Sequence, residues 1–436
     1  MPKKVCMLLV IFILCCMLPG CYDRQEVDDF AYVIAIGLDK GKINILRLTL
    51  QLAKPTVIGS GGGGEGGGGG GGSDGSEATT TIVVETPSIF SGLNMANNSL
   101  SKKLNLAHAK VMVFSKELAQ EGIERYINAI PRTREIRPNI SIAVSTSSAE
   151  DYIKAVQPHL EINPAKYYEM NYQTFKYTGL SINNDFHNFY SQMKSTYQSA
   201  TAVLAGVNKF NSAEDFSLQS STYDEKGRPY PLEGDFKAGD MPRESKLKAE
   251  IMGLAVFNGS RMVGELDGHE TTMHLMVTGE YGHGFITIPD PIRKDYTVVL
   301  EVKRSRNPVC SVDISGERPR ISVKVILEAD IQTIQSGIEY EKPENMKILE
   351  KAYEDFLRES IIKYLKRTTE EFKSDICGFG KIAKAKFLTW DEWERYDWLN
   401  RYKDAEFNVE VDFKIRRTGL IVSTVPVTLS KEKEAP

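Results

Sequence analysis

A chain of 436 residues with 26% charged side chains and a formal charge of −4 has room for roughly two or three domains. Its acidic balance, with both signs interspersed, excludes a protein built to neutralise a nucleic-acid backbone. Four of the six cysteines (Cys6, Cys15, Cys16 and Cys21) lie in the first 21 residues, so Cys310 and Cys377 alone remain for the body, too few for a disulfide scaffold.

The chain opens with Lys3 and Lys4 and then an apolar run from Val5 to Leu18. At 1.5 Å per residue the run spans about 21 Å, short of the roughly 30 Å hydrocarbon core. Residues 1–20 therefore read as a secretory signal and not as a spanning helix. Leu18-Pro19-Gly20-Cys21 follows, and Leu-x-Gly-Cys resembles a bacterial lipobox, in which the cysteine thiol takes a diacylglycerol and becomes the new N-terminus. Cys21 is the expected lipid anchor; plain secretion with an incidental cysteine is the alternative. Cleavage leaves 416 residues (436 minus 20) and, without Lys3 and Lys4, a charge of −6. No later apolar run approaches bilayer-spanning length, so the body is expected to be held to a membrane by its end.

Phe30 to Leu38 and Ile43 to Leu52 read as a hairpin across Lys40-Gly41-Lys42, with Leu46, Leu48, Leu50 and Leu52 on one face and Arg47, Thr49 and Gln51 on the other. Gly59 to Gly72 contains only Ser60 and Glu65 besides glycine. Such a tract has no side chains to bury, so 59–78 is predicted to be a disordered insertion spanning about 25 Å end to end. No Gly-Lys-Ser/Thr closes it, which sets aside a phosphate loop.

Thr81 to Glu85 is a predicted strand, and Ile89, Leu93, Ala96, Leu100 and Leu104 have helical spacing. Ala109 to Phe114 is a further strand, after which Ser115 caps a helix running through Leu118, Tyr126 and Ile127. Asn139 to Thr146 is another strand, and Ser148 caps the next helix. This alternation makes 21–207 an α/β region. Residues 208–248, rich in Ser, Asp, Glu, Gly and Pro, read as a linker or edge segment and a boundary.

The region 249–427 reads as an α+β domain with a tail at 428–436. Ile251 to Phe257 and Arg261 to Leu266 flank the turn pair Asn258-Gly259, and strands follow at Tyr296 to Lys303, Val309 to Ile314 and Ile321 to Ile331. The longest predicted helix, Glu344 to Lys373, is about 45 Å long, has Pro343 and Glu344 suited to its start and carries a stripe through Met346, Leu349, Tyr353, Phe356, Leu357, Ile361, Tyr364 and Leu365. That stripe is expected to be core under a sheet, and Phe407 to Ile415 closes the domain as a strand. The fold class is α+β and multi-domain, with mixed or antiparallel sheets covered by helices.

The best metal candidate is His269 and His274 with His283 nearby, but a zinc-protease helix needs histidines four apart and these are five apart. The segment reads as strand-like, which makes them strand-edge histidines. His108 and Lys110 precede a strand, and a lone histidine there is read as structural. Cys310 alternates with Val312 and Ile314 as a small buried residue; a disulfide to Cys377 is the alternative in an extracytoplasmic compartment. No Gly-x-Ser-x-Gly elbow and no marked Cys/His pair occurs. Trp390, Trp393 and Trp398 read as core anchors, with a sugar platform as the alternative. No catalytic residue, metal or cofactor is expected.

Cys21-Tyr22-Asp23-Arg24-Gln25-Glu26, followed by Phe30-Ala31-Tyr32-Val33-Ile34-Ala35-Ile36-Gly37-Leu38-Asp39-Lys40, resembles the mature start of the Ger(x)C family, with Tyr22 where that family usually has Trp. The same family's order is seen in His108-Ala109-Lys110-Val111, Arg134-Glu135-Ile136-Arg137, Gly253-Leu254-Ala255-Val256-Phe257 and Asp375-Ile376-Cys377-Gly378-Phe379-Gly380. The resemblance implies an α+β lipoprotein of three structural domains on the outer face of the spore inner membrane. There it would act with integral-membrane A and B subunits as a nutrient germinant receptor. The residues alone support an anchored, non-catalytic binding or assembly protein. A solute-binding lipoprotein, with a cleft between two lobes, and an envelope hydrolase, with convergent carboxylates, stay open as alternatives.

Overall fold

The computed structural model describes residues 5, 7, 26–54, 78–158, 160–161, 163–210, 231–421 and 423–424. Cys21, the glycine tract, the middle of the 208–248 segment and the C-terminal tail lie outside these residues.

Two sheets organise the molecule. The larger comprises β1 (Phe30–Lys40), β2 (Leu46–Ala53), β3 (Thr79–Thr86), β4 (Lys103–Asn105), β5 (Val111–Ser115), β6 (Ser141–Ser145), β7 (Thr201–Val207), β8 (Ala249–Asn258) and β9 (Arg261–Leu266). Its order is β3-β2-β1-β5-β6-β7-β8-β9, with β4 beside the start of β1. β1, β5, β6 and β7 are parallel, and the flanking pairs are antiparallel. The smaller sheet, in order, is β10 (His283–Pro289), β11 (Thr297–Asp313), β12 (Arg320–Ile334) and β13 (Glu406–Arg417), antiparallel except for the parallel pair β12 and β13.

The principal helices are α1 (Ile89–Asn97), α2 (Lys116–Glu121), α3 (Glu124–Ile127), α4 (Ala149–Ala155), α5 (Pro164–Asn171), α6 (Gly268–Thr278), α7 (Pro343–Glu370), α8 (Phe379–Lys384) and α9 (Trp390–Tyr396). The expected hairpin of β1 and β2 forms, but Ile43 lies in its turn, 90% exposed, and the strand begins at Leu46. Thr49 and Gln51 are buried along with the leucines. Gln51 Nε2 donates to Ile153 O (3.2 Å) and its Oε1 accepts from the Tyr168 hydroxyl (2.8 Å), so α4 and α5 cover the face that the alternation assigned to solvent.

Ser115 and Ser148 cap α2 and α4 as read, accepting from Leu118 N and Asp151 N. Three expected helices are shorter. Leu104 belongs to β4; Gly122, at φ +118°, separates α2 from α3; and α7 stops at Glu370. The β8–β9 loop is Gly259-Ser260, one residue along from the expected pair, with Gly259 at φ +58°. Tyr296 to Lys303 and Val309 to Ile314 prove to be parts of the single strand β11, which passes through register shifts at Arg304 to Val309.

The 208–248 segment leaves β7 and returns to its neighbour β8 in the same sheet. Its two ends are tied by Asn208 N donating to Lys248 O (2.7 Å), and its later part is tied to β8 by Gly239 N donating to Glu250 Oε2 (2.7 Å). α7, 28 residues and about 42 Å long, buries Leu349, Tyr353, Leu357, Ile361, Tyr364 and Leu365, so its stripe is core. The Tyr353 ring stacks on Phe413 of β13 at 5.3 Å. One apolar core runs from Ile34 of β1 to Ile415 of β13 and joins the two sheets.

Candidate functional site

The histidine segment is a helix, not a strand. Asp267 accepts from Glu270 N (2.8 Å) while the Glu270 carboxylate accepts from Asp267 N (3.2 Å), a capping box that starts α6; Gly279 in the left-handed region ends it. Both histidines of α6 turn toward α7. His269 Nε2 is 2.9 Å from Ser360 Oγ, and His274 Nδ1 is 2.8 Å from the Tyr364 hydroxyl. His283 stands on β10, 3.3 Å from Glu301. The three imidazoles therefore go to three separate partners, and among the described residues no three His, Cys, Asp or Glu side chains converge on a metal-sized site.

Tyr364 continues the contact to Cys377, whose Sγ is 3.0 Å from its hydroxyl. Cys310 and Cys377 are both free thiols, so the alternative of a disulfide between them is not realised. Burial pushes Cys310 up to about 11 and Cys377 well above the usual thiol range, which disfavours the nucleophilic thiolate at both. Next along α7, Arg367 Nη1 lies 2.6 Å from Glu270 Oε1, and its Nε lies 2.7 Å from Glu371 Oε2. The guanidinium also covers the Phe372 ring at 4.9 Å.

Asp375 is fully buried. Its Oδ1 accepts from Gly378 N (2.8 Å) and Phe379 N (3.2 Å), and its Oδ2 accepts from Gly380 N (2.7 Å) and Trp398 Nε1 (2.9 Å). Burial raises its pKa to about 6 in spite of those bonds. Trp393 and Trp398 are core rings as expected, whereas Trp390 is 49% exposed. No sequence signal singled out Glu270, Tyr364, Arg367 or Asp375 for these contacts, although Asp267-x-x-Glu270 is the pattern of a capping box.

A crevice of about 630 Å³ opens at the carboxyl ends of β1, β5 and β6. α2 and α4 leave the adjacent strands β5 and β6 for opposite faces: Leu118 joins one core and Tyr152 the other. Open α/β sheets place ligands at such switch points. Here Asp39 and Glu150 are engaged locally. Asp39 accepts from Ala149 N (2.7 Å) and Glu150 N (3.0 Å); Glu150 takes Arg47 (2.7 Å) and Lys154 (2.6 Å). Arg47 holds Glu150 at about 2, with Lys154 adding to it, and burial raises Asp39. All four carboxylate oxygens of this pair have partners, so Asp39 and Glu150 are committed to positioning α4 and Arg47. The cleft between two lobes that a solute-binding protein needs is filled at the sheet junction by core.

A mixed nine-stranded sheet continuous in its core with a four-stranded one, crossed by a long helix, defines an α+β, multi-domain class of protein. Residues 23–208 match the family described as "Spore germination protein N-terminal domain", and residues 252–419 match "Spore germination B3/ GerAC like, C-terminal". The chain belongs to this GerAC-like, or Ger(x)C, family. It is 26% identical to spore germination protein KC of Bacillus subtilis over 96% of this chain and 97% of the relative. Spore germination protein GerQC of Bacillus cereus is 19% identical over 75% of this chain and 79% of the relative. The crystal structure of the GerBC protein shares the fold with a TM-score of 0.50 at 15% identity, covering 90% of this chain and 99% of that one.

Proposed function

We propose that this chain is the lipid-anchored subunit of a spore nutrient germinant receptor, attached through Cys21 to the outer face of the inner membrane. It serves assembly with the integral-membrane A and B subunits and has no catalytic role. The observation that carries the reading is the lipobox-like Leu18-Pro19-Gly20-Cys21 directly before a body that matches spore germination families from residue 23 to residue 419. Tethering to the surface that holds its partners raises their effective concentration, so a weak interface suffices for occupancy. The switch-point crevice favours no second reading, because its two least exposed carboxylates, Asp39 and Glu150, are paired within the protein. Detergent-solubilised spores test the proposal: the chain should co-purify with integral-membrane subunits, and recovery of the chain without them counts against it.

A further inference from the structure

β1, β5, β6 and β7 are parallel, so their amino ends share one end of the larger sheet. β1 begins there at Phe30, nine residues after Cys21 (30 minus 21), a reach of at most about 30 Å. Lys103 sits opposite Phe30 across β4 with Lys102 beside it, and Arg134 and Arg137 lead into β6. All four are exposed, and none has an ion-pair partner among the described residues.

The segment that enters β7 brings the C-terminal region to the same end. Ser199 N donates to Asp375 O (2.8 Å), and the Lys384 ammonium lies between the rings of Tyr197 (5.3 Å) and Trp390 (4.3 Å). Next to this stack Leu388 is 95% exposed. Leu388 and Trp390 follow Lys384 and Lys386 and precede Asp391, Glu392 and Glu394, with Trp390 Nε1 donating to Glu394 Oε1 (2.5 Å). An exposed Leu and Trp beside lysines is the composition of an interfacial membrane contact, and burial of the other two tryptophans means that exposure here is particular to Trp390.

We propose that this end of the molecule docks on an anionic bilayer: Lys102, Lys103, Arg134 and Arg137 meet the headgroups, and Leu388 and Trp390 enter the headgroup–acyl boundary. The inference rests on reading Cys21 as the anchor, which brings the amino end of β1 to the same surface. Glu26, Asp28 and Asp29 precede β1, Glu135 lies between Arg134 and Arg137, and Asp391, Glu392 and Glu394 follow Trp390, so the attraction is modest and salt-sensitive, with each basic residue adding about fivefold to partitioning. Docked in this way, the body turns the crevice at the carboxyl ends of β1, β5 and β6 away from the membrane.

The test uses the mature chain with Cys21→Ser, so that no acyl chain contributes, floated with vesicles at low salt. Vesicles of equal parts phosphatidylglycerol and phosphatidylcholine should bind it at least about tenfold better than phosphatidylcholine alone. Lys102→Glu, Lys103→Glu, Arg134→Glu and Arg137→Glu together should remove that preference. Brominated lipid should quench the fluorescence of Trp390, with Trp390→Phe abolishing the quenching; this arm decides the matter even if the fourfold variant does not fold. Equal partition between the two vesicle types, unchanged binding of the fourfold variant or unquenched Trp390 would each overturn the proposal. Failure of the anchor reading is seen separately, as a wild-type protein whose Cys21 carries no diacylglycerol by mass.

Discussion

The Nδ1 atom of His274 lies 2.8 Å from the hydroxyl of Tyr364, so a histidine of α6 and a tyrosine of α7 join two helices inside the core. The residue that sequence alone offers as a metal candidate is thus part of the junction between the two sheets. Burial holds it neutral, with its pKa lowered from 6.5 to about 4.

That burial predicts a pH effect with an opposing partner. His274 contributes stability that is complete above pH 6.5 and lost as pH falls through about 4. Asp375, raised from 3.8 to about 6, contributes stability that is complete below pH 3.8 and lost as pH rises through 6. Each contribution amounts to about 3 kcal/mol, and over the shared window they largely cancel. Urea midpoints from pH 4 to pH 7 should therefore change little in the wild type from these two groups. In His274→Phe the Asp375 contribution stands alone, and stability should rise toward pH 4 relative to pH 7. Parallel profiles for the two proteins would sink this account.

Gly264 of β9 faces Phe372, which follows α7. A Cβ added at Gly264 would come within 2.1 Å of Phe372 Cε1, and Phe372 is itself buried. Gly264→Ala should cost about 2 kcal/mol in a denaturant melt, and adding Phe372→Leu should recover part of the loss. Full additivity of the two substitutions would mean that the contact is not the cause.

Cys21→Ser should move the protein to the soluble fraction after a salt wash without changing its melt, and labelled lipid precursors should mark the wild type alone. Receptor function should fall in the variant and return with a different membrane anchor, because the tether supplies local concentration. Substitutions of His269 and His283 should leave germination intact; at buried His274 any effect should follow stability. Titration of the soluble body with germinant amino acids and sugars should be calorimetrically silent, and saturable heat would promote a solute-binding role.

The glycine tract gives a prediction from chain statistics. Closure entropy grows slowly with loop length, so cutting Gly61 to Gly72 to four residues should change stability by about 1 kcal/mol or less. A larger loss would mean that the tract packs against the body.

Local pattern alone determined a good deal of this protein. The hairpin of β1 and β2, the serine caps of α2 and α4, the stripe of α7 and the ordered family motifs all depend on residues close in the chain, and each is found where it was read. Tertiary structure decided the rest. Thr49 and Gln51 look solvent-facing until α4 and α5, about a hundred residues later, cover them. The His269–His274 stretch carries weak periodicity on either template, and it is the reciprocal bonds of Asp267 and Glu270 and the packing of α7 that make it a helix. Asp375 looks like one acid among many until four donors, one of them from Trp398, enclose it. Neighbouring residues fix a backbone period, whereas burial of a polar group depends on partners brought from far along the chain, and those are set by the fold as a whole.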